Sequence, residues 1–353
     1  MYATSPPVTP TPPPPPPQPA RTSSSRGTAL TLAACAVLAV AVVASIALGA
    51  RDISPPEVVR ILLHPDGTGY NSHVLWTERI PRTLLGLTVG AALGASGLMM
   101  QALTMNPLAD PGILGIEQGA AMFVVLGILF LDITGATGYF WLALAGAAFT
   151  SALVYLIGTR TNAGSSTLGL VLAGVALAAV MSSLITLLVV RDEAVYAHLR
   201  FWSMGQLTGR GKVLDEILPF AVAGLLLALP FGRTLNVLSM GEDAARGLGV
   251  RVERAQLLGA AVAVLLCAAA TAAVGPVAFV GLVAAHCARM LAGADHRWSL
   301  PLSMACGAIL LIGADIAGRL VLDHGEIQVG VMTAVVGTPF FVWLARRRNL
   351  VRV

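Results

Sequence analysis

Apolar residues run through this chain in long blocks broken by short polar stretches, without the polar face that a surface helix keeps. The first block, Thr28–Ala50, is uncharged over 23 residues and follows Arg21 and Arg26. A secretory apolar region spans only about 7–15 residues, so this block reads as an uncleaved first membrane helix. Further spans are predicted at 83–103, 113–131, 139–158, 167–190, 214–231, 255–274, 276–292, 300–322 and 329–345. The pair at 255–292 is broken only by Gly275-Pro276, a turn signal that leaves two helices or one kinked helix open. The fold class is therefore an all-α polytopic membrane protein of about ten transmembrane helices. Three regions follow: residues 1–27 as a disordered, proline-rich arm, 28–346 as the membrane domain, and 347–353 as a short basic tail. Ten of the 21 prolines lie in the first 19 residues, a run that favours extended polyproline II and buries no core.

Composition sharpens this picture. The chain of 353 residues is 56% hydrophobic and 11% charged, with mean hydropathy +0.80. Soluble chains carry about 25% charged residues, so an ordinary soluble enzyme is excluded. The net charge is +4, yet Lys212 is the only lysine and no arginine run is interleaved with aromatics, so no nucleic-acid partner is expected. With ten spans and both termini cytoplasmic, basic residues are in excess on the cytoplasmic side, most clearly at Arg346-Arg347-Arg348. Four cysteines, Cys35, Cys267, Cys287 and Cys306, form no CxxC pair and read as small buried hydrophobes. Gly86, Gly90, Gly94 and Gly97 recur at three- and four-residue spacing, the pattern by which membrane helices approach closely.

Three segments are neither apolar filler nor ordinary loop. Glu78-Arg79-Ile80-Pro81-Arg82 opens the glycine-faced helix, which ends in Asn106-Pro107-Leu108-Ala109-Asp110-Pro111-Gly112-Ile113-Leu114-Gly115. Both X-Pro pairs disfavour helix, so the backbone should break at the membrane edge, where irregular chain must be buried or line a cavity. Gly241-Glu242-Asp243-Ala244-Ala245-Arg246-Gly247-Leu248-Gly249 reads as a short amphipathic helix in a cytoplasmic loop, with Ala245 and Leu248 on one side. From Gly275 to Gly337 come Gly275-Pro276-Val277-Ala278-Phe279-Val280-Gly281-Leu282, Gly293-Ala294-Asp295-His296-Arg297, Ala314-Asp315 with Arg319, and Val329-Gly330-Val331-Met332-Thr333-Ala334.

In that order these motifs resemble the permease family of importers for ferric siderophores, haem and vitamin B12, the type II ABC importers, over roughly residues 28–345. The resemblance implies a subunit that pairs with a second permease subunit, two cytoplasmic ABC ATPases that hold ATP and magnesium, and an extracytoplasmic solute-binding protein. It implies residence in the bacterial plasma membrane and uptake of an iron(III)–siderophore or related chelate, with vitamin B12 and haem as alternatives. By resemblance, Arg79, Arg82 and Arg319 receive acidic residues of the binding protein, although arginines at a membrane edge also anchor helices by snorkelling. Gly241, Glu242, Ala245, Arg246, Leu248 and Gly249 match the helix that couples to the ATPase. The fifth span and its dimer mate line the pathway, with Ser182, Ser183 and Thr186 as its polar residues and Asn106 and Glu117 nearby. Hydroxyls in membrane helices also bond their own backbone, and Glu117 serves either a cap or a polar cavity. Three positions depart from the family pattern: Ala285, Gln328 and Glu117.

The residues alone support part of this. No Walker G-x-x-x-x-G-K-[ST] occurs, and the one glycine–lysine pair, Gly211-Lys212, is followed by Val213. Hydrolysis is thus expected on another chain, and neither a catalytic constellation, a bound cofactor nor a metal site is read here. An i,i+4 pair of Asp315 with Arg319 is expected. The competing reading is an ion-coupled secondary transporter using Glu117 or Asp315 as its coupling carboxylate.

Overall fold

The computed structural model describes residues 24–49, 53–64, 69–160, 167–322 and 325–346. Residues 1–23 of the proline-rich arm and the 347–353 tail lie outside the described residues. Helix α1 (Ser24–Ala47) is followed by α2 (Pro55–Leu63) and α3 (Tyr70–Val74), which runs through a π-helical turn, Leu75–Arg79, into α4 (Ile80–Leu103). After a 3₁₀ turn at Pro111–Leu114 come α5 (Ile116–Leu131), α6 (Ala136–Arg160), α7 (Thr167–Arg191) and the short α8 (Glu193–Ser203). The chain continues as α9 (Val213–Leu238), α10 (Glu242–Gly247), α11 (Val252–Val274), α12 (Val280–Ala292), α13 (His296–Leu320) and α14 (Val329–Arg346).

Among the described residues, seven helices are long and apolar enough to cross a membrane; α5, α12 and α14 are shorter apolar helices at the other three predicted spans. At 1.5 Å per residue the 13-residue α12 rises only about 20 Å, short of the ~30 Å hydrocarbon core. Gly275 has φ 86° and Phe279 φ 68°, so 275–279 is a true break and the chain forms two helices, α11 and α12.

Several boundaries move. The arm ends sooner than residue 27, because α1 begins at Ser24. Its first turns pack where Leu30, Ala34 and Trp298 cover Ala288, Ala292 and Leu302, and a Cβ on Gly27 would lie 2.3 Å from the Trp298 ring. The second span starts at Tyr70 rather than 83, because the helix widens to a π turn where Pro81 removes a donor, with the Ile80 amide reaching back to the Leu75 carbonyl. Helix α9 passes Pro230 and continues to Leu238.

Helix α4 is the hub. Along Tyr70–Leu103, 83% of the apolar window is buried, against 6% for α1 and 22% for α7, which stand at the periphery. The glycine face divides between two neighbours. A Cβ at Gly94 would lie 2.2 Å from the Ser303 carbonyl oxygen of α13, and one at Gly97 would lie 2.5 Å from the Gly281 backbone of α12. The Ser303 hydroxyl donates to the Gly94 carbonyl at 2.7 Å, and that of Ser96 donates to the Ala263 carbonyl of α11 at 2.6 Å. Backbone contact of this kind substitutes for the hydrophobic drive that lipid does not supply.

Candidate functional site

The two ends of α4 carry different chemistry. At its first end the three predicted arginines come together, but enclosed rather than as an open cationic rim. Nη1 of Arg79 donates to the Ile46 and Ala47 carbonyls at 3.0 and 2.9 Å. Nη1 of Arg319 donates to the Ser45 and Leu48 carbonyls at 3.0 and 2.9 Å, and its Nη2 to the Ser45 hydroxyl at 2.9 Å. Both side chains are buried, and together they cap the last turn of α1, whose final carbonyls lack helical partners. Arg319 also pairs with Asp315 at 3.0 Å, the i,i+4 contact expected from the sequence. Arg82 places Nε and Nη2 on Asp315, at 3.1 and 2.7 Å, and Nη1 on Glu326 at 2.8 Å. Charges withdrawn from water require such partners, which is why the arginines turn inward. A cavity of about 200 Å³ opens here, lined by Arg82, Phe201, Gln206, Thr208, Asp315 and Glu326 among others.

At the opposite end, α9 leads into α10 through Gly241 at φ 98°, and Gly249 at φ 82° follows it. The Ala245 amide donates to Gly241, and the Val250 amide to Ala245. Ala245 is fully buried against the bundle, whereas Leu248 is 62% exposed, so the two do not form one surface as predicted. The physical reason is that the helix ends at Gly247, and Leu248 is its cap rather than its next helical residue. Met240, which precedes α10, is also exposed, at 64%, and carried no signal in the sequence. Arg246 is netted by Glu242 at 3.0 Å, Asp243 at 3.6 Å and Glu253 at 3.0 Å. The hydrogen bond to Glu253, with the nearby Glu242 charge, holds its guanidinium above the ordinary value.

Just before this loop lies an unpredicted staple. Oδ1 of Asn236 accepts from the His296 amide at 2.7 Å and contacts its Nδ1 at 2.9 Å, while Nδ2 donates to Asp295 at 2.7 Å. Asp295 also caps α13 by accepting from the Arg297 amide at 3.0 Å. The Gly-Ala-Asp-His-Arg motif signalled this corner, but nothing local marked Asn236 as its partner. A few residues along α12, Arg289 donates to the Gln101 side chain at the end of α4 and contacts Nδ1 of His286 at 3.4 Å.

The segment after α4 is irregular, as the two X-Pro pairs predict. Oδ1 of Asn106 accepts from the Leu108 amide at 3.0 Å, and that of Asp110 accepts from Gly112 at 2.8 Å. Asn106 is exposed and Glu117, on the first turn of α5, is half-buried. Ser182, Ser183 and Thr186 lie exposed on α7; Ser183 bonds the Ala179 carbonyl and Thr186 the Ser182 carbonyl, both at 2.9 Å. The structure does not bring these two groups together: Gly115, before Glu117, approaches α7 at Gly174, about two helical turns from Ser182.

The profile of the FecCD transport family matches residues 37–347. The chain is 42% identical over 309 residues to a probable siderophore transport system permease protein of Bacillus subtilis, covering 87% of this chain and 92% of that protein. It is equally 42% identical over 313 residues to the ferric enterobactin transport system permease protein of Escherichia coli, covering 88% and 92%. Among solved structures, a metal-chelate type ABC transporter in an inward-facing conformation superposes with a TM-score of 0.78 at 29% identity, covering 91% of this chain and 99% of that one. A multi-span helical bundle, packed through its glycine-faced second span and matched along almost its whole length, belongs to the FecCD transport family of ABC importer permeases.

Proposed function

We propose that this chain forms the membrane pathway of an ATP-driven importer for an iron(III)–siderophore chelate. The observation that carries the reading is the 42% identity to two siderophore-system permeases across about nine-tenths of each protein. Hydrolysis takes place on two cytoplasmic ATPase subunits, whose contact is the α10 loop with Met240 and Leu248 outermost. A second permease subunit packs on the exposed side of α7, and Ser182, Ser183 and Thr186 face the pathway between the two. The solute-binding protein docks at the Arg82 end. Both termini lie in the cytoplasm of a bacterial cell. Asp315 is unsuited to act as a coupling carboxylate, since it is buried and already engaged by the guanidinium groups of Arg82 and Arg319.

The test is uptake of radio-iron-labelled siderophore into proteoliposomes holding the permease, its cognate ATPase and its binding protein. Uptake that requires ATP and persists under a protonophore supports the importer. Uptake driven by a proton gradient without ATP overturns it. Haem or cobalamin transported in preference to the ferric chelate overturns the substrate while leaving the importer standing.

A further inference from the structure

The Arg82 end holds two carboxylates of unlike standing. Asp315 is 3% exposed and lies between Arg82 and Arg319, so it is fixed. Glu326 is 31% exposed at the side chain and sits at the 200 Å³ cavity, held by Nη1 of Arg82 at 2.8 Å and by the Thr208 hydroxyl at 3.0 Å. It lies between α13 and α14, next to Gly325 at φ 112°, and the chain beside it is tied back by the Ile327 amide on the Gly318 carbonyl at 3.0 Å. Arg82 itself is 11% exposed, and the one edge of its fork not engaged by Asp315 is the edge that Glu326 covers.

We propose that Glu326 is a built-in placeholder: its carboxylate covers Arg82 until a carboxylate of the incoming binding protein takes its place. This rests on the reading of the Arg82 end as the docking surface for that protein. Arg79 and Arg319 are committed to α1, so of the three arginines Arg82 is the one through which an acidic partner engages this end. A guanidinium presents a planar fork that accepts one carboxylate for another without rearranging, so the exchange conserves charge at the buried pair. A partly exposed ion pair contributes little to stability, so its exchange is cheap, whereas Asp315 cannot leave without stranding two cations. The device makes docking a competition, and only a partner whose carboxylate outbids Glu326 gains the site.

The experiment measures binding of the cognate solute-binding protein, immobilised, to the full transporter in nanodiscs at two ionic strengths. Glu326→Gln keeps the shape and removes the competing charge. It should tighten binding by roughly 3- to 10-fold and steepen the loss of affinity with salt. Asp215→Asn, at an exposed position of α9 near the same end, removes the same charge away from Arg82 and should do less. Arg82→Gln should weaken binding, and adding Glu326→Gln to it should change nothing further. Weaker binding in Arg82→Gln with unchanged or weakened binding in Glu326→Gln overturns the placeholder and leaves docking intact. Equal effects of Glu326→Gln and Asp215→Asn reduce it to general surface charge and overturn it as well. Unchanged binding in Arg82→Gln removes the docking reading, and the placeholder falls with it.

Discussion

Arg82 and Arg289 are both enclosed guanidinium groups at opposite ends of α4, and they are provided for in opposite ways. Arg82 meets two carboxylates, and the adjacent Arg319 shares one of them. Arg289 meets the amide of Gln101 and the ring of His286, and among the described residues it has no carboxylate partner. Its Nε and Nη1, with Nε2 of Gln101, His286 and His296, are buried without a hydrogen-bonding partner among the described residues. Unpaired buried donors each cost about 1–3 kcal/mol. Arg82 is thus balanced by charge, whereas Arg289 is held by neutral side chains alone.

Asp315→Asn should be the largest perturbation. It removes the buried carboxylate that Arg82 and Arg319 share, and the expected loss is about 3–5 kcal/mol, read as a lowered unfolding midpoint in detergent. Asn236→Ala removes the staple to Asp295 and His296 and should cost about 1–3 kcal/mol. Arg289→Met, by contrast, takes away a cation that no carboxylate balances, and stability should stay within about 1 kcal/mol of wild type. Should Arg289→Met destabilise as much as Asp315→Asn, the distinction between the two ends would collapse. Smallest of all, Leu248→Asp should leave the unfolding midpoint within about 0.5 kcal/mol, because the side chain is exposed. Uptake in proteoliposomes should nevertheless fall sharply, and wild-type uptake would remove α10 as the ATPase contact.

The spans were legible because each is a continuous apolar block, and the breaks at 104–115 and 275–279 because proline and glycine mark them locally. The partners of the arginines were not. Arg82 and Asp315 are 233 residues apart, and Arg289 and Gln101 are 188 apart, so only the packed bundle reveals that each meets the other. The arginines therefore read as a surface when they are in fact mostly internal. Around α10 the difficulty was one of scale. A helix of six residues is too short for periodicity to fix which side faces the bundle, and Leu248 falls just past its end. On α7 the hydroxyls were found but not their use, since bonding to their own backbone is what such residues do in many membrane helices.

The capping of α1 has a consequence for the order of assembly. Its last turn is held by Arg79 and Arg319, and Arg319 lies 274 residues beyond Ser45, on α13. A ribosome delivers α1 before α13. Helix α1 is therefore tethered at first only through its sequence neighbours. It takes its final seat only once α13 has been made, so the α1–α13 contact closes over every helix that lies between them in the chain.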